Sequence, residues 1–101
     1  MRIEFDPAKS ATNVEKHGLP LERFADLDLE AGIVTPDARR DYGEDRYLVT
    51  APIEGRLHVA CFCIRNDAFR VISLRKANDR EARRYERAQK EAFRTKRALH
   101  G

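Results

Sequence analysis

Apolar and polar side chains alternate over residues 1–5 and then meet Asp6-Pro7, an N-cap followed by a residue whose fixed φ suits a first helical turn. A short strand should therefore lead into a helix over residues 7–17. Ala8, Ala11 and Val14 share one stripe of that helix, and Gly18 stands where a left-handed residue ends it. Residues 20–27 predict a second short helix with Leu21, Phe24 and Ala25 inward. Gly32, Pro36 and Gly43 then punctuate an irregular, mostly acidic stretch with a brief strand at 33–35.

Three runs of strand-forming residues follow, at 45–51, 56–64 and 69–75, separated by Glu54-Gly55 and Asn66-Asp67. Turns this short make hairpins, so the runs predict an antiparallel meander. In the central run Leu57, Val59, Cys61 and Cys63 face one way and His58, Ala60, Phe62 and Ile64 the other. That is the pattern of a strand covered on both faces in the middle of a sheet. Asn78 and Glu81 then form a capping box opening a long helix to about Leu99. Its apolar stripe, Ala82, Tyr85, Ala88, Ala92 and Phe93, is narrow and alanine-rich, so it buries little area per turn. A partner or a second copy of the chain is expected to complete that burial. The whole reads as one α+β domain over 1–101: a short N-terminal strand, two helices, an antiparallel meander and a long C-terminal helix.

Composition narrows the class. The chain has 101 residues, of which 42% are hydrophobic and 37% charged, against roughly 25% charged in an average soluble domain. Its longest apolar run, 59–64, is far below the ~20 residues of a membrane span. Acidic Glu4 sits where a signal peptide would be basic and then apolar. Cys61 and Cys63 are too few for a disulfide framework and, on one face of a strand, stand roughly 6.5–7 Å apart. A reducing cytoplasm is the expected compartment. The net charge of +3 conceals an asymmetry: seven basic and eleven acidic residues in 1–50, thirteen and six in 51–101. Ten basic residues against four acidic ones lie between Arg75 and Arg97. Such a concentration attracts nucleic acid or an acidic protein, or else forms a solvated helix face of paired charges.

No metal site is expected, because His17, His58 and His100 are widely separated and the two cysteines lack zinc spacing. Gly-rich phosphate loops and nucleophile elbows are absent from the sequence. The densest reactive polar groups are Arg65 at one strand end, Arg75-Lys76 at another, and Arg80, Glu81 and Tyr85 on the first turns of the last helix. Arg65 and Arg75 should lie near opposite ends of adjacent antiparallel strands, flanking one long groove rather than one bond.

Three motifs carry a resemblance: Phe5-Asp6-Pro7-x-Lys9-x3-Asn13-x2-Lys16-His17-Gly18, Asp41-Tyr42-Gly43-Glu44-x-Arg46, and Val71-Ile72-Ser73-x-Arg75-Lys76-Ala77-x2-Arg80-Glu81-x3-Tyr85. Together they span nearly the whole chain, which resembles the BrnT toxins of bacterial type II toxin-antitoxin systems. The resemblance implies a RelE-like ribonuclease fold and RNA cleavage that halts translation. It also implies a small DNA-binding antitoxin, BrnA, whose complex with the toxin represses its own operon. Phe5 replaces a commoner Trp, Cys61-Phe62-Cys63 replaces a more ordinary strand, and the basic tail after Tyr85 is long.

Cleavage without a metal or other cofactor needs a base for the 2′-hydroxyl, cations for the charge developing on phosphorus, and an acid for the leaving oxygen. Arg65 and Arg75, then Arg80, are the expected cations, since a guanidinium fork matches phosphate. Lys16, Lys76, Arg83 and Arg84 are candidate RNA-binding residues. Glu81 fits two roles, base or helix-capping partner, and Tyr85 fits an orienting hydroxyl or a packed side chain. His17 fits a general acid or a helix C-cap. His58 and both cysteines fit core packing better than chemistry. The competing class is a non-enzymatic basic module binding RNA, DNA or protein.

Overall fold

The computed structural model describes the backbone of residues 1–100 and the side chains of residues 1–99. Strands β1 (Arg2–Glu4), β2 (Ile33–Pro36), β3 (Tyr47–Ile53), β4 (Arg56–Arg65) and β5 (Ala68–Lys76) form one sheet in the order β1-β5-β4-β3-β2. Helix α1 (Pro7–His17) follows β1 and helix α2 (Asp79–His100) follows β5, with 3-10 helices at Leu21–Asp26 and Leu29–Ala31. The architecture is α+β. β2 to β5 form the antiparallel meander, and β1 pairs parallel with β5, making the sheet mixed. Glu54 and Gly55 have φ of 48° and 80°, Asn66 and Asp67 of 51° and 60°. Positive φ at both residues of each two-residue turn matches the twist of the flanking strands.

The central strand is covered on both sides, as its sequence predicts: Val59, Ala60, Cys61, Phe62 and Cys63 are all buried. One face of the sheet carries the core, in which Val49, Ala51, Ala60, Phe62, Val71 and Leu74 pack against Leu21 and Phe24. Register on β5 is not uniform. Cys61 stands opposite Ser73 but Phe62 stands opposite Val71, leaving Ile72 as one extra residue. Strand side chains alternate strictly, so one extra residue exchanges the faces of everything after it. Val71 and Leu74 consequently both enter the core, and Arg75, opposite Val59, emerges on the other face. Were Ile72 a regular strand position instead of a bulge, the alternation set by Phe69 and Val71 would turn Arg75 into the core.

Two details of the first 27 residues differ from the sequence pattern. Ala8 and Ala11 are exposed and Val14 is 44% exposed, whereas α1 buries Ser10 and Asn13. The reason lies in the edge of β5. β1 covers that edge only from Ala68 to Arg70, so the backbone of Leu74 needs other partners. Asn13 Nδ2 donates to the carbonyls of Leu74 and Leu19, both at 2.7 Å, and Asn13 Oδ1 accepts from the Leu74 N–H. Ser10 Oγ accepts from the Leu21 N–H at 2.9 Å. Polar satisfaction, rather than an apolar stripe, thus seats α1. The second helix is a 3-10 helix that buries Leu21 and Phe24, with Leu27 buried just past its end and Ala25 exposed. Spacings of three place these side chains in line at three residues per turn, which an α-helix would not do.

Asn13→Ala should destabilise the fold by roughly 2–4 kcal/mol, since a buried carbonyl and N–H lose their partners. Urea denaturation checks this, and Ala11→Ser on the exposed stripe should be nearly neutral in the same assay.

Candidate active site and nucleic-acid interface

The sheet face opposite the core is where charge gathers. Arg75 leaves β5 and meets Glu81 in the first turn of α2: Nη1 donates to Oε1 at 2.7 Å and Nη2 to Oε2 at 2.8 Å. Glu81 simultaneously closes the predicted capping box, accepting from the Asn78 N–H at 3.0 Å while Asn78 Oδ1 accepts from the Glu81 N–H at 2.8 Å. A fork-to-fork contact of this kind is the geometry a guanidinium would also offer a phosphate. Arg75 holds the Glu81 carboxyl below its ordinary value, aided by the Asn78 N–H, and Glu81 raises the pKa of Arg75.

A second pair lies beside the first. The Asp37 side chain is fully enclosed and accepts from Arg39 Nε at 2.8 Å and Nη2 at 2.7 Å, with the Cys61 thiol 3.6 Å away. Arg39 itself is exposed and close enough to Arg75 to disfavour its charge. Hydrogen bonds from Arg39 hold Asp37 well below the usual carboxylate range, while burial pushes Cys61 up to about 11. A third pair closes the far end of the face: Glu44 accepts from Arg65 Nη2 at 2.7 Å and Arg46 Nη2 at 3.3 Å, and the Arg46 guanidinium sits 4.0 Å over the Tyr42 ring. Arg65 holds Glu44 below its ordinary value, and burial raises Cys63. Neutral, buried thiols are weak nucleophiles, so both cysteines serve as packing.

The expected site residues divide in space. Arg75 and Glu81 touch, and Glu81, Arg84, Tyr85 and Ala88 line one cleft with Val59, Leu48 and Thr50 of the sheet. Tyr85 donates its hydroxyl to the Ala31 carbonyl, and Gln89 Nε2 donates to the same carbonyl at 3.1 Å. Tyr85 is therefore half-buried and fixed. Arg65 shares the face of Arg75 but stands opposite Ala68, six strand positions and roughly 20 Å farther along. Lys76, opposite His58, belongs to the core-side face and is exposed. His17 and Lys16 are exposed on the last turn of α1, where Gly18, φ 72°, is the C-cap. His58 is buried, with Nδ1 2.7 Å from the Arg56 carbonyl. Arg80 and Arg83 are exposed on α2, and the side chain of His100 lies outside the described residues. The sequence pattern did not single out Asp37 or Arg39, which sit in the irregular stretch with no spacing signal. Glu44 and Arg46 had one, the Asp41-to-Arg46 motif.

A family profile described as ribonuclease toxin, BrnT, of type II toxin-antitoxin system matches residues 5–81. The chain belongs to the BrnT family. The matched segment contains Arg39, Arg65, Arg75 and Glu81 and ends there, so Arg83, Arg84, Tyr85 and the rest of α2 lie beyond it. A BrnT toxin of such a system has an antitoxin partner and an RNA target. No curated protein matches the chain. Among the described residues no helix is long and apolar enough to cross a membrane, and no three His, Cys, Asp or Glu side chains cluster to hold a metal ion.

Asp37 makes a pH prediction. Its folded-state pKa is depressed below an ordinary 3.8, so the stability it contributes is complete above that value and is lost as pH falls toward the folded-state one. Urea midpoints measured from about pH 6 to pH 2 should decline on the acid side, and Asp37→Asn should be less stable at neutral pH with a flatter acid limb.

Proposed function

We propose that the chain is a metal-independent, RelE-like endoribonuclease of the cytoplasm that halts translation by cutting RNA at the Arg75–Glu81 pair, and that a small DNA-binding antitoxin of the BrnA kind neutralises it. The observation supporting this most is the bidentate Arg75–Glu81 contact, partly exposed to solvent at the end of β5. A phosphate that takes the Arg75 fork displaces Glu81 from it. Glu81 stays anchored by the Asn78 N–H, loses the contact that depresses its pKa, and becomes basic enough to accept the 2′-hydroxyl proton. The 2′-oxygen then attacks phosphorus, the bond to the 5′-oxygen breaks, and that oxygen takes a proton from solvent, leaving a 2′,3′-cyclic phosphate. Arg75 and Arg39 stabilise the charge on the non-bridging oxygens. Arg65, too far away to share that role, positions a phosphate several nucleotides along the face.

Purified protein incubated with labelled RNA and excess chelator should yield cyclic-phosphate ends. Arg75→Ala should lower kcat/KM by about 10²–10³-fold and relieve growth arrest on expression, with circular dichroism unchanged. Glu81→Gln keeps a capping partner at the same helix position yet should remove the acidic limb of the pH–rate profile. Binding without cleavage would reject the enzymatic reading in favour of a binding module.

A further inference from the structure

Helix α2 has a second face. At 100° per residue, Arg80, Arg83, Arg84, Arg87, Lys90, Arg94 and Arg97 fall within an arc of about 140°, and all seven are exposed. The side that meets the body, Glu81, Ala82, Tyr85, Ala88 and Gln89, lies opposite. Between Arg80 and Arg97 two carboxylates adjoin these seven cations: Glu91 within the arc, which pairs with Arg94 at 3.1 Å, and Glu86 at its margin, which shares a shallow depression with Arg83, Arg87 and Lys90. Arg80, Arg83, Arg84, Arg87 and Lys90 have no ion-pair partner among the described residues. The stripe runs roughly 26 Å along the helix axis. Phe93 is the one large apolar side chain beside it, 62% exposed and overlain by the Arg97 guanidinium at 5.8 Å. A single edge aromatic against seven exposed cations suits a phosphate backbone better than a protein surface, which needs a buried cluster of anchors. It is also continuous with the cleft, because Arg84 both lines the cleft beside Glu81 and stands at the edge of the arc.

We propose that the outer face of α2 is a sequence-independent anchor for RNA flanking the cut: the strand leaves the cleft over Arg84 and Arg80 and lies along Arg83, Arg87, Lys90 and Arg94. The proposal rests on the ribonuclease reading for the identity of its ligand, but its binding can be measured without cleavage. The anchor contributes affinity for long RNA and nothing to the bond-breaking step.

The test uses the full chain with Arg87, Lys90 and Arg94 all changed to Ala, a residue that favours helix. Fluorescence anisotropy with an RNA of about 30 nucleotides, across a salt series, should show the slope of log affinity against log salt falling by about two units, as three lost phosphate contacts to a single strand require. On the same RNA, KM should rise ~10-fold or more with kcat unchanged, while cleavage of a dinucleotide should not change. Lys96→Ala removes a charge from the opposite side of the same helix and should alter the slope less than Arg87→Ala alone. Unchanged slope and KM in the triple variant would overturn the proposal, as would equal effects of Lys96→Ala and Arg87→Ala, which would indicate net charge only. Loss of binding to an acidic protein with RNA affinity intact would overturn it too. Stripe-dependent RNA binding by a chain that cuts no RNA would instead leave the anchor standing and reject the ribonuclease reading.

Discussion

The carboxylate of Glu81 joins three parts of the molecule that would otherwise be independent. It accepts the fork of Arg75 from the end of β5, caps the first turn of α2 through the Asn78 N–H, and lines the cleft on the sheet. α2 has little else to hold it. Its body-facing side offers only Ala82, Tyr85 and Ala88 as half-buried apolar contacts, and the two hydrogen bonds to the Ala31 carbonyl complete the attachment. Beyond Gln89 the helix runs clear of the body, with Phe93 62% and Leu99 78% exposed, which helps give the molecule its 50 × 27 × 26 Å extents. A small apolar contact area makes directional polar contacts decisive for orientation, because burial itself is non-directional. The same contact that aims α2 thus also shapes the site.

The face opposite the core is organised by three arginine–carboxylate pairs, Arg39–Asp37, Arg65–Glu44 and Arg75–Glu81. Each carboxylate is held ionised by its partner, so the arginines are pre-oriented without being neutralised by proton transfer. Such pairs keep cationic side chains ordered at low entropic cost. They also separate roles by position. Arg39, held by Asp37 against Cys61, lies nearer Arg75 than Arg65, which stands at the far end of the sheet, and the outer stripe of α2 presents mostly unpaired charge. A nucleic acid would meet ordered cations in the groove and solvated ones along the helix.

Most of the elements were legible in the chain, because their signals are local. Asp6-Pro7 and Gly18 bound α1, Glu54-Gly55 and Asn66-Asp67 make the hairpins, and Asn78 with Glu81 starts α2. The alternation in β4 identified the central strand. What failed were inferences that treated apolarity as burial. Ala8, Ala11 and Val14 stay exposed while Ser10 and Asn13 go inside, because the demand at that position is for hydrogen-bond partners along an unpaired strand edge. A 3-10 period replaced an α-helical one where Leu21, Phe24 and Leu27 had to point the same way.

By itself, then, the sequence determined the order of strands, turns and helices and the gathering of basic residues at its C-terminal end, all properties of neighbours along the chain. Tertiary structure decided which of those charges meet. The extra residue Ile72 in β5 changes the parity of the strand and carries Arg75 to the face of Glu81, while Lys76 is turned to the other. The folding back of residues 37–46 brings Asp37, Arg39 and Glu44 onto that same face. Parity and long-range register depend on how distant backbone groups pair, and no local pattern of side chains records them.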